Sequence, residues 1–95
     1  MLRDYYLAIA CEMCGVTPQD IVINKKSSHL VATARRAVIY MLYNDGGLSA
    51  ATVGAMMGIS AHRASDSIYA AQQQLLFPKQ YPLLHNLLKA FKNED

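Results

Sequence analysis

The chain of 95 residues lacks a long uninterrupted apolar run, although 53% of its residues are hydrophobic. A membrane-spanning helix needs about 20 consecutive apolar residues, so the sequence predicts no membrane span. The beginning of the chain also lacks the order of a signal peptide, because Arg3 and Asp4 come early and Glu12 interrupts the apolar stretch that follows. We therefore expect a cytoplasmic protein, associated with the nucleoid if it binds DNA.

The sequence is also poor in the residue sets that build metal and catalytic sites. Its two cysteines, Cys11 and Cys14, form the motif C-E-M-C, and no second pair of ligands accompanies them. We interpret them as two small apolar side chains on one helix face. His62 and Asp66 are four residues apart, but no nucleophile, metal set or second carboxylate joins them. The sequence therefore predicts no enzyme, no cofactor and no metal.

The period-two alternation of β-strands is absent as well, and apolar residues recur instead at intervals of three and four. Glycine and proline cut the chain into helical lengths. The sequence therefore predicts an all-α fold, a compact bundle of about six helices that contains a helix-turn-helix. We expect one domain over residues 1–95, with residues 91–95 frayed.

The third and longest predicted helix carries a charge inside its apolar stripe. On a helical wheel Arg35 interrupts the apolar side, whereas Thr33, Arg36 and Tyr40 point away from the core. A charge on a buried side needs a partner. Arg35 is therefore expected to be either a structural ion pair or a phosphate clamp.

Acidic residues are scarce in the middle of the chain, whose formal net charge is +2. Residues 21–65 contain five basic residues and the single acid Asp45, whereas the rest contains four basic and six acidic residues. A basic middle between acidic ends favours a surface that faces a polyanion, although a charged stripe is more often a solvated face.

Residues 48–71 have the pattern of a helix-turn-helix. Gly54 lies in the middle of a short predicted helix, where glycine is less favourable than alanine by about 1 kcal/mol. A glycine at this position is explained if two helices must cross closely there. Gly58 supplies a left-handed turn residue, Ile59 fills the angle between the helices, and Ser60 caps the next helix, predicted over residues 61–76. A generic helical hairpin is the alternative.

The outward side of that next helix carries residues that can read DNA bases. His62, Arg63 and Asp66 lie near its beginning, with Tyr69 and Gln73 farther along. Arginine can bond to guanine N7 and O6, aspartate can accept from cytosine N4, and glutamine can read adenine. The sequence therefore predicts a recognition helix in the major groove.

Four segments, in this order, resemble the C-terminal origin-box-binding domain of the bacterial replication initiator DnaA. They are I-A-C-E-M-C-G-V-T-P-Q-D-I at residues 9–21, N-K-K-S-S-H at 24–29, A-R-R-A-V-I-Y-M-L at 34–42 and G-L-S-A-A-T-V-G-A-M-M-G at 47–58. The last is similar to the family motif G-L-S-L-x-E-I-G-x-x-F-G. The resemblance implies a fold of the Trp-repressor-like helix-turn-helix class that docks on duplex DNA. It gives Lys25 and Lys26 the place of the basic loop and Arg35 that of the family's A-R-Q arginine.

The chain departs from this family where specificity resides. The family continues with R-D-H-S/T-T-V, whereas this chain has I-S-A-H-R-A-S-D-S-I-Y-A-A at residues 59–71. We therefore carry over the fold and the docking mode, without the origin-box sequence. No Gly-rich phosphate loop is present, so an ATPase module is not expected. The predicted DNA contacts are Lys25, Lys26, Ser27, His29, Arg35, Arg36, Ser60, His62, Arg63, Ser65 and Asp66.

Two functions remain open at this point. The leading hypothesis is a sequence-preferring double-stranded DNA-binding protein, a regulator or replication accessory of a bacterium or mobile element. The alternative is a protein-interaction module on the same scaffold, which binds a replication or transcription protein through its tyrosine-rich and methionine-rich surfaces. Tyrosine is enriched at interfaces, and Tyr5, Tyr40, Tyr43 and Tyr69 keep this alternative open.

Overall fold

The computed structural model describes residues 2–22 and 28–93, and all regular elements within these ranges are α-helices. The prediction of an all-helical bundle of about six helices is confirmed. The radius of gyration, 11.9 Å, matches the value of about 12 Å for a compact protein of this length. In chain order the helices are α1 (Leu2–Cys14), α2 (Pro18–Val22), α3 (His29–Asn44), α4 (Ala50–Met57), α5 (Ala61–Gln74) and α6 (Pro82–Phe91).

Local capping chemistry explains where the helices begin. At α2 the Thr17 hydroxyl accepts from the Asp20 amide at 3.2 Å, and the Asp20 carboxylate accepts from the Thr17 amide at 3.0 Å. This reciprocal pair satisfies two amides that the first helical turn leaves without partners. Three serines do the same for α3, α4 and α5, since the side chains of Ser28, Ser49 and Ser60 accept from the amides of Val31, Thr52 and Arg63.

Helix α3 is the centre of the fold, because it packs against all five other helices. Its buried residues therefore extend beyond a single stripe. Thr33 is only 6% exposed, so the prediction that it points away from the core is wrong. Arg36 and Tyr40 are half-buried for the same reason. A wheel identifies the face that meets one neighbour, whereas a central helix meets neighbours on several sides.

The core is a cluster of apolar side chains from all six helices. Aromatic contact joins the two ends of the chain, since the rings of Tyr6 and Phe91 have centroids 5.1 Å apart. Phe91 is 4% exposed, so fraying does not begin at residue 91 as predicted. Helix α5 ends at Gln74, two residues earlier than predicted. The largest fully buried side chains are Ile21, Val38, Ile39, Met41, Leu42, Val53, Met57, Leu84 and Leu87.

A three-residue turn, residues 58–60, joins α4 to α5. Gly58 ends α4 in the left-handed conformation, with φ of 71°. A Cβ atom on Gly54 would lie 2.7 Å from the Ile59 carbonyl oxygen and 3.0 Å from the Ser60 carbonyl oxygen. The close approach predicted at Gly54 is therefore one between α4 and the backbone of the turn. None of the described helices combines the length and apolarity needed to cross a membrane.

The substitution Gly54→Ala should lower the free energy of unfolding by about 1–3 kcal/mol, because the new methyl group must displace backbone atoms. Helix propensity acts in the opposite direction, by about 1 kcal/mol in favour of alanine. Ala55→Gly, on the exposed side of the same helix, is the matched control and should cost about 1 kcal/mol through propensity alone. Urea denaturation of both variants measures the two effects. A stabilised Gly54→Ala protein would show that the turn is free to move.

Candidate nucleic-acid interface

Helix α5 has one side in the core and one side in solvent. Ala64, Ile68 and Ala71 are buried and anchor the helix. Since α4 and α3 both pack against it, its rotation about its own axis is fixed. The opposite side is exposed, and the predicted contact residues His62, Arg63, Ser65 and Asp66 all lie in solvent. The anchored side therefore determines which residues the helix offers to a partner.

His62 and Asp66 form a pair on the exposed side of α5. The imidazole Nε2 lies 3.4 Å from the Asp66 Oδ2, one helical turn away. Both side chains are well exposed, at 85% and 69% of their surface. Such a pair contributes a few tenths of a kcal/mol at most to helix stability, since solvent screens it. Stability therefore does not account for its place on this face.

Arg63 lies close to Arg35 of α3. Burial lowers the pKa of the Arg35 guanidinium from its ordinary value, and the neighbouring charge of Arg63 lowers it further. The second effect means that the two like charges are near enough to repel. Helices α3 and α5 therefore place two guanidinium groups, 28 residues apart in the chain, within electrostatic range of each other.

Arg35 fastens α2 to α3. Its Nε donates to the Ile21 carbonyl oxygen at 2.6 Å, and its Nη2 donates to the Asp20 carbonyl oxygen at 3.3 Å. These carbonyls lie at the C-terminal end of a five-residue helix, where the last carbonyls lack helical partners and the helix dipole is negative. The charge inside the apolar stripe is thus bound to backbone oxygens, a structural role that differs in kind from the predicted ion pair.

The remaining predicted contact residues are in different settings. His29 and Ser60 are exposed at the beginnings of α3 and α5, and the Ser60 hydroxyl is occupied as a helix cap. Arg36 is half-buried, and its Nε is shielded from solvent and has no hydrogen-bond partner among residues 2–22 and 28–93. The predicted basic-loop residues Lys25, Lys26 and Ser27 lie outside the described residues, between the end of α2 and Ser28.

Sequence reasoning anticipated one pairing on this surface and missed the other. The spacing of His62 and Asp66 was a usable signal, because residues four apart on a helix are neighbours. The proximity of Arg35 and Arg63 had no such signal, since it depends on how α3 and α5 pack.

Cys11 and Cys14 are half-buried. Burial raises the pKa of both thiols, and the charge of Asp20 at Cys11 and the neighbouring Cys11 at Cys14 raise it further. A raised thiol pKa reduces the thiolate fraction at neutral pH, so both cysteines are poor nucleophiles and poor ligands. No group of three or more His, Cys, Asp or Glu side chains that could hold a metal ion occurs within residues 2–22 and 28–93.

A second exposed region follows α5. Leu76 and Phe77 are 67% and 54% exposed, and with the three residues that follow, 78–80, they line an open apolar cavity of about 390 Å³. Of the tyrosines, Tyr69 is 65%, Tyr5 49% and Tyr43 39% exposed, whereas Tyr40 is half-buried. These apolar surfaces are the ones that a protein partner would use.

Comparison with protein families, curated proteins and solved structures finds no match to this chain. The resemblance to the initiator domain therefore rests on the quoted motifs, and it remains a prediction.

Arg35→Met removes the guanidinium and keeps most of the aliphatic stem. The loss of hydrogen bonds from a charged donor to the α2 carbonyls should lower the free energy of unfolding by about 1.5–3 kcal/mol. Amide hydrogen exchange in α2 should accelerate as well, since that helix loses its attachment. Arg63→Met is the matched control, because Arg63 is exposed and its loss should change stability by less than about 0.5 kcal/mol. Equal effects of the two variants would refute the fastening role of Arg35.

Proposed function

We propose that the protein binds double-stranded DNA with a sequence preference, inserting α5 into the major groove. The observation that carries this proposal is the exposed group of His62, Arg63 and Asp66 at the beginning of α5. This helix is held by its buried side and by the turn at residues 58–60, which packs against Gly54. Recognition of bases requires such a helix, because bonds to base edges form only when the side chains approach at a fixed angle and depth.

The dimensions of the exposed side fit a groove. From His62 to Tyr69 the helix rises roughly 10 Å, comparable with the major-groove width of about 12 Å. Asp66 lies between them on the same side, whereas Arg63 lies toward the edge that approaches Arg35. Arg63 can donate to guanine N7 and O6, and Asp66 can accept from cytosine N4. His62 supplies a further donor or acceptor to the same few base pairs.

Contacts to the phosphate backbone are proposed for the region around Arg35. The two guanidinium groups lie within electrostatic range of each other and would attract an anion. In the sequence, Lys25 and Lys26 follow α2, to whose end Arg35 is bonded. We therefore assign residues 24–28 and the Arg35 side of α3, with Arg36, His29 and Ser27, to phosphates, and Ser60, His62, Arg63, Ser65 and Asp66 to the groove. Phosphate contacts fix the register, and base contacts supply the preference.

The motifs shared with the DnaA domain favour a role as a regulator or replication accessory that acts on the nucleoid. The different residues at positions 59–71 argue that the target differs from the initiator box. A protein-interaction module on the same scaffold is the second candidate, and the exposure of Leu76 and Phe77 favours it. That apolar surface follows the C-terminal end of α5, whereas Arg63 lies near its N-terminal end. The two functions therefore use separable residues.

Duplex binding should weaken steeply with salt. Neutralisation of about three to five phosphates by the basic residues predicts a slope of roughly −3 to −4.5 for the logarithm of the association constant against that of the salt concentration. Fluorescence anisotropy on a random duplex, measured from low to moderate salt, gives this slope. Leu76→Ser combined with Phe77→Ser should leave it unchanged. A slope near zero, or no duplex binding at low salt, would rule out the proposed function.

Arg63→Ala should cost about 1–3 kcal/mol on a duplex selected from a random pool and much less on a random duplex, because a base contact is lost. Asp66→Ala should narrow the difference between the two duplexes without abolishing binding, since an acid near phosphates discriminates and does not attract. Lys79→Ala removes one exposed positive charge beyond the end of α5 and is the control. Competition titration at one fixed salt concentration measures all variants on selected, initiator-box and random duplexes.

Equal losses on all duplexes for Arg63→Ala would assign this arginine to the backbone. The initiator box should bind no better than random DNA of equal length. A strong preference for that box would mean that the departure from the family motif does not change the target.

A further inference from the structure

The pair formed by His62 and Asp66 places a carboxylate on the surface that is proposed to meet a polyanion. Asp66 lies 3.4 Å from the His62 Nε2, and both side chains are more than two-thirds exposed. An unpartnered carboxylate on such a surface repels phosphates. Among the described residues, its one neighbour within ion-pairing distance is a histidine, the side chain whose charge ordinarily changes between pH 5 and 8.

We propose that His62 and Asp66 act as one proton-linked reading pair, in which docking on duplex DNA takes up a proton at His62. This inference rests on the proposed function, and it adds that the two residues determine specificity together. Asp66 then orients His62 in addition to accepting from a base, and His62 makes a contact of its own with DNA.

The charges of the exposed group support proton uptake. With a neutral His62, the charges of Arg63 and Asp66 cancel, so the three residues at the beginning of α5 carry no net charge. With His62 protonated, the same three residues carry +1. Phosphates attract the protonated state more strongly than the neutral one. Formation of the complex is therefore expected to be accompanied by uptake of a proton.

The chemistry of the imidazole ring leads to the same result. A neutral ring has one donor nitrogen and one acceptor nitrogen. An acceptor cannot bond to phosphate oxygens or to guanine N7 and O6, which are acceptors themselves. A protonated ring has a donor at both nitrogens, so Nε2 can face the Asp66 carboxylate as an ion pair while Nδ1 donates to the DNA. Asp66 therefore favours the ring orientation in which Nδ1 meets the partner.

The helices packed against α5 add few charges to this pair. Helix α4 carries no charged or titratable side chain. On α5 itself the neighbouring groups are Arg63 and, one turn beyond Asp66, Tyr69. Arg35 of α3 lies within electrostatic range of Arg63. The other charged or titratable side chains of α3 are His29, Arg36, Tyr40 and Tyr43.

The test is the affinity of the intact chain for its selected duplex between pH 6 and 8 at fixed salt. One linked proton weakens binding by up to about tenfold per pH unit. We expect the wild type to bind roughly three- to tenfold more weakly at pH 8 than at pH 6, and calorimetry in buffers of different ionisation enthalpy to detect proton uptake. His62→Gln should lose the pH dependence and the uptake. Asp66→Asn should tighten binding more at pH 8 than at pH 6, because at pH 8 the carboxylate has no cationic partner.

His85→Gln is the control, since His85 lies on α6 and belongs to no proposed contact. It should keep both the affinity and the pH dependence of the wild type, and circular dichroism verifies that each variant is folded. Retention of the pH dependence in His62→Gln would overturn the inference. Binding with the expected salt slope but without pH dependence would overturn this inference alone, whereas absence of duplex binding at every pH would overturn the proposed function with it.

Discussion

The close contact between Gly54 and the turn at residues 58–60 is the constraint on which the proposed interface depends. The Ile59 and Ser60 carbonyl oxygens occupy the space that a Cβ atom would need, so α4 and the turn approach to a distance that only glycine permits. This contact holds Ser60 where it caps α5. Capping and the buried side of α5 together determine which residues face outward. The exposed side of α5, which is the proposed interface, is therefore a consequence of backbone packing.

Two arginines link further helices of the bundle, because each donates a hydrogen bond to a carbonyl near the C-terminal end of another helix. Arg35 donates to carbonyls at the end of α2, and Arg3 of α1 donates to the Met56 carbonyl oxygen near the end of α4 at 2.9 Å. Each places a positive charge where the helix dipole is negative and where carbonyls lack partners. A short helix such as α2 has little stability of its own, so an attachment of this kind decides its position. Arg35 thereby connects α2 to α3 in the region proposed to bind phosphates.

Features that depend on near neighbours in the chain were predictable from the sequence. The Ser60 cap and the glycine at the end of α4 each act within a few residues, and the structure has both as predicted. Thr33 was misplaced because its burial depends on several helices at once. The candidate site divides in the same way, since the outward residues of α5 follow from one helical period. The approach of Arg63 to Arg35 follows from tertiary packing alone.

The modest positive charge of the proposed interface is more typical of a sequence-selective DNA-binding protein than of one that binds all duplexes equally. A strongly basic surface would gain affinity for every duplex, because phosphates are the same everywhere. A carboxylate on the proposed recognition helix would repel the phosphates of every duplex. That repulsion would be offset only where a base donates a hydrogen bond to the carboxylate. Specificity is a difference between affinities, so a group that penalises wrong partners contributes as directly as one that rewards the right one. Under the proposed proton uptake, the pairing of Asp66 with His62 would make that penalty depend on a proton and would link the choice of sequence to the charge of the surface.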